Sequence, residues 1–157
     1  MDKTDAQILK VLSKDARTSF LGVAREVVSD LEDSTIRKRA LALEKKGIIR
    51  KYTILLNVEK IPAILAVAIV SVNPAKLKES LKHFSAVENV SQIFYELSGT
   101  VLCFLSASSE EKMADVLKEV YEVPGVQKIR LLSNLRVGKH ESLIAPNVID
   151  EIARAEK

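Results

Sequence analysis

From Ile64 onward the chain runs through the same rhythm twice, and that repetition constrains the fold more than any other feature. "ILAVAIVSV" is apolar on both faces, as expected of a strand covered on both sides. "NPAKLKESLKHF" then places Leu77, Leu81 and Phe84 at i, i+4 and i+7, with Pro74 near the helix start. "NVSQIFYEL" reads as a second strand, "SGT" as a tight connection and "VLCFLSA" as a third strand. Ser108 and Glu111 are spaced as a capping box for a second helix, whose apolar face is Met113, Val116, Leu117, Val120 and Tyr121. Pro124-Gly125 closes that helix, and "VQKIRLLSNLRV" reads as a fourth strand. The order β-α-β, turn, β-α-β predicts a ferredoxin-like split unit, βαββαβ, with a weak internal repeat. Both helices then cover one face of the sheet. The strands carry Ile, Val, Leu and Phe on the other face as well, which predicts a dimer packed sheet on sheet.

The first third has a different period. Thr4 with Gln7 fits a capping box, and Ile8, Leu9 and Leu12 follow as one helical stripe. Thr18 or Ser19 suits the cap of a second helix with Phe20, Val23, Ala24 and Val27 on one face. "DSTIRKRALALEKKGII" reads as a third helix. At about 100° per residue, Ala40 and Leu43 share the face of Ile36 and point to a core, while Ser34 and Lys38 point the opposite way. Thr35, Leu41 and Ala42 lie around that outward pair, and Arg37 and Arg39 flank the core stripe. Gly47 is a helix stop. "IIRKYTILLNV" alternates loosely as a strand would, with Arg50 and Lys51 where a wing would begin. Three short helices, the last with a polar and basic outward side, followed by a strand, form the pattern of a winged helix-turn-helix. Such a helix fills a major groove, its hydroxyls and lysines reach base edges, and flanking arginines meet phosphates. A solvated amphipathic helix would show the same charge run.

The assignment is therefore α+β. Residues 1–56 form a winged helix-turn-helix DNA-binding domain, 57–62 a linker ending at Pro62, and 63–138 a ferredoxin-like oligomerisation and effector domain. Residues 139–157 form a tail with a short helix after Pro146. Charge agrees with this division. The whole chain of 157 residues carries only +3, but residues 1–58 hold twelve Lys/Arg against eight Asp/Glu, and residues 59–157 hold twelve against thirteen. Cys103 is the only cysteine, so an intrachain disulfide and a cysteine metal cluster are excluded. No basic-then-apolar leader opens the chain. The longest apolar run, "IPAILAVAIVSV", is well short of the ~20 residues that span a bilayer. The expectation is a cytoplasmic protein without membrane contact, metal or cofactor.

The stretches "TDAQILKVLSKDARTSF", "STIRKRALALEKKGII" and "FYELSG", in this domain order, resemble the Lrp/AsnC family (leucine-responsive, or feast-famine, regulators), and the likeness covers nearly the whole chain. The resemblance implies a transcription regulator that binds double-stranded DNA, dimerises through its C-terminal domain, often assembles further into octamers, and often senses amino acids between subunits. The residues it marks for DNA are Ser34, Thr35, Arg37, Lys38, Arg39, Arg50 and Lys51, and for an effector Ser98, Gly99 and Thr100. The chain departs from the family in two places. The turn before the third helix, "VVSDLEDS", is about two residues longer and sets Asp30, Glu32 and Asp33 near the helix start, with Ser29 and Glu32 spaced for a capping box. Their charge suits the helix dipole and repels phosphate. Gly99 is followed by Thr100, Val101 and Leu102, where the family tends to carry an Asp. Two other functions share this architecture. One is a tetrapyrrole enzyme resembling siroheme decarboxylases, for which the only histidines are His83 and His140. The other is a regulator that no longer binds DNA and acts by pairing with relatives. No catalytic triad, Gly-rich phosphate loop or metal-ligand spacing is present.

Overall fold

The computed structural model describes residues 1–27, 31–133 and 135–138, with Val148, Ile149, Glu151 and Arg154 near the C-terminus. Two compact units divide the described chain, one containing Met1–Leu55 and the other Leu56–Gly138.

The first unit holds three helices: α1 (Lys3–Lys14), α2 (Phe20–Glu26) and α3 (Asp33–Lys45). Helix α1 starts two residues earlier than the Thr4/Gln7 spacing predicts. Asp2 is its N-cap, and Asp2 and Asp5 form the capping box, with Asp5 N donating to Asp2 Oδ1 at 2.8 Å and Asp2 N to Asp5 Oδ2 at 3.2 Å. Both spacings fit a helix start; a carboxylate at each end of the box adds favourable charge at the positive helix terminus. Ser19 caps α2 by accepting from Gly22 N at 3.1 Å. Ile8, Val11, Leu12, Val23, Val27, Ile36 and Leu43 close into one core, with Ile8, Val23 and Ile36 wholly buried. Burial of each such side chain contributes about 1.5–3 kcal/mol.

Helix α3 ends in a Schellman motif. Ile48 N donates to Leu43 O at 2.9 Å, Gly47 N to Glu44 O at 2.8 Å, and Gly47 takes φ 71°. The strand expected over 48–58 does not form. Residues 50–57 are exposed irregular chain, and Arg50 and Lys51 stand on it rather than on a hairpin. A strand needs a partner for its N–H and C=O groups, and no described segment of the first unit supplies one. Val28, Ser29 and Asp30, and with them the expected Ser29–Glu32 capping box, lie outside the described residues. So do His140 and most of the expected C-terminal tail.

The second unit is a four-stranded antiparallel sheet in the order β2-β3-β1-β4, formed by β1 (Ile64–Val72), β2 (Val90–Tyr95), β3 (Thr100–Ala107) and β4 (Val126–Leu132). A turn of 3₁₀ helix (Pro74–Lys76) leads into α4 (Leu77–Ala86), and α5 (Glu110–Glu122) joins β3 to β4. Alternation along the strands sorts the side chains. Ala66, Ala68, Val70 and Val72 of β1 and Val101, Cys103, Leu105 and Ala107 of β3 share one core with Leu77 and Phe84 of α4 and with Met113, Val116 and Val120 of α5. Burial there pushes the Cys103 thiol up to about 11, which leaves it an inert hydrophobe.

Three local expectations differ from the structure. Ser109 rather than Ser108 caps α5, accepting from Lys112 N at 3.2 Å. Tyr121 is 64% exposed, because it falls some 80° round from Met113, at the edge of the stripe. Strand β4 ends at Leu132, although Leu135 N still reaches Leu65 O at 3.3 Å. Among the described residues no helix is long and apolar enough to cross a membrane, and no group of three or more His, Cys, Asp or Glu could hold a metal ion.

Candidate nucleic-acid interface

Helix α3 is held by its apolar edge. Ile36, Ala40 and Leu43 are between 0 and 2% exposed, so the opposite side faces outward. Ser34 and Lys38 are exposed on that side, Arg37 is exposed at one margin of it, and Thr35 is half-buried at the other. Arg37 and Lys38 form no ion pair among the described residues. Their charges are therefore available to a polyanion.

Arg39 behaves differently, although it sits in the same basic triplet. Its Nη1 lies 2.6 Å from Asp2 Oδ2 and 2.8 Å from Asp5 Oδ1, which ties α3 to the start of α1. The sequence marks Arg39 as a phosphate contact; the structure spends it on a bridge between two helices.

The leading end of α3 is acidic. Glu32 is the N-cap, without a side-chain bond to the helix backbone, and Asp33 is the first helical residue. Ser34 Oγ donates to Glu32 Oε2 at 3.3 Å. At the trailing end Tyr52 Oη donates to Glu44 Oε1 at 2.8 Å, and the irregular segment is thereby tethered back to α3. Partial burial, then the Glu44 carboxylate, push the Tyr52 phenol up to about 12.

In the second unit, Ser98, Gly99 and Thr100 lie together in the hairpin between β2 and β3. Gly99 N donates to Glu96 O at 3.0 Å, and Glu96 N to Thr100 O at 2.9 Å, so Leu97, Ser98 and Gly99 form a three-residue loop whose last residue takes φ 101°. Gly99 O accepts from Val72 N at 2.8 Å. Ser98 Oγ donates to Glu96 Oε2 at 3.1 Å. Most of the polar groups that the sequence offers to a ligand here are engaged within the hairpin. His83 is exposed on α4.

The AsnC-type helix-turn-helix domain, as a family model, matches residues 1–44. The HTH-type transcriptional regulator LrpA of Pyrococcus horikoshii is 33% identical over 133 residues, which are 82% of this chain and 92% of the relative. This chain belongs to the Lrp/AsnC family of transcription regulators. Another relative, the HTH-type transcriptional regulator FL11 of Pyrococcus abyssi, is 25% identical over 88% of this chain and 92% of its own. Among solved structures, the chain is similar to a transcriptional regulator of Neisseria meningitidis crystallised in complex with L-Met, at 26% identity and a TM-score of 0.75 over 95% of this chain and 99% of that one. The AsnC protein of E. coli shares the fold, with a TM-score of 0.73 at 18% identity over 91% of this chain and 97% of that one. The two Pyrococcus relatives and the Neisseria protein are transcription regulators, not enzymes.

Proposed function

We propose that this Lrp/AsnC regulator binds double-stranded DNA sequence-specifically in the cytoplasm, as a homodimer that seats one α3 in each of two successive major grooves. The observation that carries the reading is the outward side of α3, where exposed Ser34 and Lys38 oppose the buried Ile36, Ala40 and Leu43, with exposed Arg37 at its margin. Lys38 donates to base edges, Arg37 meets phosphate, and Arg50 and Lys51 add backbone contacts from the segment after α3. Major grooves one helical turn apart fix a pseudo-palindromic site with half-sites spaced about 34 Å. The sheet face turned away from α4 and α5 supplies the dimer contact.

A gel-shift series on promoter duplexes tests this. With about three phosphate contacts per subunit, log K falls against log salt with a slope near −5. An Arg37→Ala/Lys38→Ala double variant loses most of the affinity and flattens the slope. Unchanged binding by that variant would favour the reading in which the protein acts by pairing with related regulators, which the exposed Glu32 and Asp33 at the leading end of α3 support.

For an effector, the hairpin at 96–100 favours a weak or absent response to free amino acids. An ammonium and a carboxylate both need partners when buried. The Gly99 N–H and the Ser98 hydroxyl are already bonded to Glu96, and Leu102, on the apolar side of β3, offers no acceptor. Of the two side-chain hydroxyls at this turn, that of Thr100 forms no hydrogen bond among the described residues, and Glu96 keeps its second carboxylate oxygen as the one acceptor that could meet an ammonium. Calorimetric titration with the common amino acids tests it; tight stoichiometric binding of any one of them overturns the reading.

A further inference from the structure

Helix α3 carries one large apolar side chain on its outward side, which neither the core nor phosphate binding accounts for. Leu41 is 49% exposed, while Ile36, Ala40 and Leu43 of the same helix are essentially buried. It lies about 140° round the helix from Ile36, on the side of Ser34 and Lys38. Ser34, Arg37, Lys38 and Leu41 follow the spacing i, i+3, i+4, i+7, which is the spacing by which a homeodomain helix reads a major groove. All four are exposed. Three can make hydrogen bonds with DNA, and the fourth cannot.

We propose that Leu41 is a specificity-determining residue that packs against the C5-methyl group of a thymine in each half-site. The inference rests on the DNA-binding reading above. A base edge in the major groove offers donors, acceptors and one apolar group, the thymine methyl, and only that last feature rewards contact with a leucine. Three residues of helix advance about 4.5 Å along the axis, and successive base pairs are about 3.4 Å apart. Leu41 therefore lies one to two base pairs beyond Lys38 on the same helix face. Lys38 suits the O6 and N7 acceptors of guanine, so the expected half-site carries a guanine with a thymine one or two pairs away. Lys45, exposed a turn further along, keeps the approach to the backbone electropositive around this apolar contact.

The test uses the full chain and duplexes recovered by selection from a random DNA pool. In a recovered duplex, thymines are replaced one at a time by deoxyuridine, which removes only the methyl group. Burial of one methyl is worth roughly a four-fold change in affinity. The wild-type protein should lose about that factor at one thymine in each half-site and little at the others. Leu41→Ala should bind the thymine and deoxyuridine duplexes equally at that position while retaining the folded circular dichroism of the parent, as expected for a half-exposed site. Leu41→Gln should move the preference there toward adenine, whose N6 and N7 pair with an amide. Indifference of the wild type to every replacement, or an unchanged thymine-to-deoxyuridine ratio in Leu41→Ala, overturns the proposal. Recovery of no duplex at all overturns the DNA-binding reading itself, and this inference with it.

Discussion

Arg39 Nη1 stands 2.6 Å from Asp2 Oδ2, across 37 residues of sequence, and this pair fixes how α3 meets α1. Asp2 has two duties. Its Oδ1 accepts from Asp5 N and caps α1, while its Oδ2 holds the guanidinium; Asp5 Oδ1 binds the same nitrogen at 2.8 Å. The capping box of one helix is thus the anchor of another.

Arg37 and Arg39 should separate cleanly as a result. Arg39→Ala should lower unfolding stability by about 1 kcal/mol, since the Asp2 partner is exposed and such pairs are screened. Arg37→Ala should leave stability within about 0.5 kcal/mol of the parent and weaken DNA binding across all sequences. Urea unfolding and gel shift on the two variants check this; equal stability losses would contradict the division of labour.

The same cluster predicts acid sensitivity. The Asp5 backbone N–H, and then Arg39, hold the Asp2 carboxyl below its ordinary value against the opposing effect of partial burial. A carboxyl depressed in the folded state adds stability that is present above its unfolded value of about 3.9 and is lost as pH falls through the folded one. Asp2→Asn should therefore be less stable than the parent at neutral pH, and the difference should shrink below about pH 4. A stability difference independent of pH would show that neither the cap nor the Arg39 bridge draws on the Asp2 charge.

Tyr52 gives the opposite sign at the other end of the scale. Burial and Glu44 push its phenol up to about 12, so the neutral form is favoured in the fold. That stability is present below the unfolded value of about 10 and lost as pH rises toward 12. The difference in tyrosinate absorbance between the parent and Tyr52→Phe should titrate near 12, and Glu44→Gln should bring it part of the way down. A midpoint near 10 in the parent would mean that the Tyr52–Glu44 hydrogen bond does not persist in solution.

These contacts divide what was legible in the sequence from what was not. Ile36, Ala40 and Leu43 were readable because a buried helix edge repeats every 3.6 residues. The four strands of the second unit were readable because their apolar runs are interrupted by Pro74, Gly99 and Pro124-Gly125. Arg39 looked like its neighbours Arg37 and Lys38, because an ion pair across 37 positions leaves no local pattern. The segment 48–58 looked like a strand because Tyr, Thr and Ile favour extended chain; propensity cannot supply the partner that a ladder requires. Thr4/Gln7 and Asp2/Asp5 were both admissible caps, and Ser108 and Ser109 differ by one position, which is the scale on which helix ends are uncertain.

Gly99 cannot be replaced without breaking its hairpin. A Cβ there would stand 2.2 Å from Val72 O, and the φ of 101° disfavours any L side chain. Gly99→Ala should cost about 2–3 kcal/mol in denaturant unfolding. Loss of effector response in a Gly99 variant would thus report the turn rather than a binding site. Thr100→Val changes a hydroxyl without changing the backbone and is the informative substitution. A Gly99→Ala protein as stable as the parent would mean that Val72 and the hairpin part readily.

The uncovered sheet face gives the last prediction. Two rows cross it in register: Leu132, Val67, Phe104 and Gln92 in one, Arg130, Ile69, Leu102 and Phe94 in the next. Phe94 and Phe104 meet edge to face with centroids 5.7 Å apart, so adjacent rows are joined by an aromatic contact. Phe94 and Leu132 remain 36% and 38% exposed. A contiguous apolar surface of this kind is rarely left open to water, and pairing with a second copy would bury it at the centre while Arg130 and Gln92 stay at the rim. The full chain should therefore be at least dimeric at micromolar concentration. Ile69→Asp places a charge in the middle of the patch but away from the core shared with α4 and α5, so the sheet should still fold. Light scattering should then give a monomeric mass for Ile69→Asp with unchanged circular dichroism. A monomeric parent, or an oligomer indifferent to Asp at 69, would mean that the subunits associate through another surface.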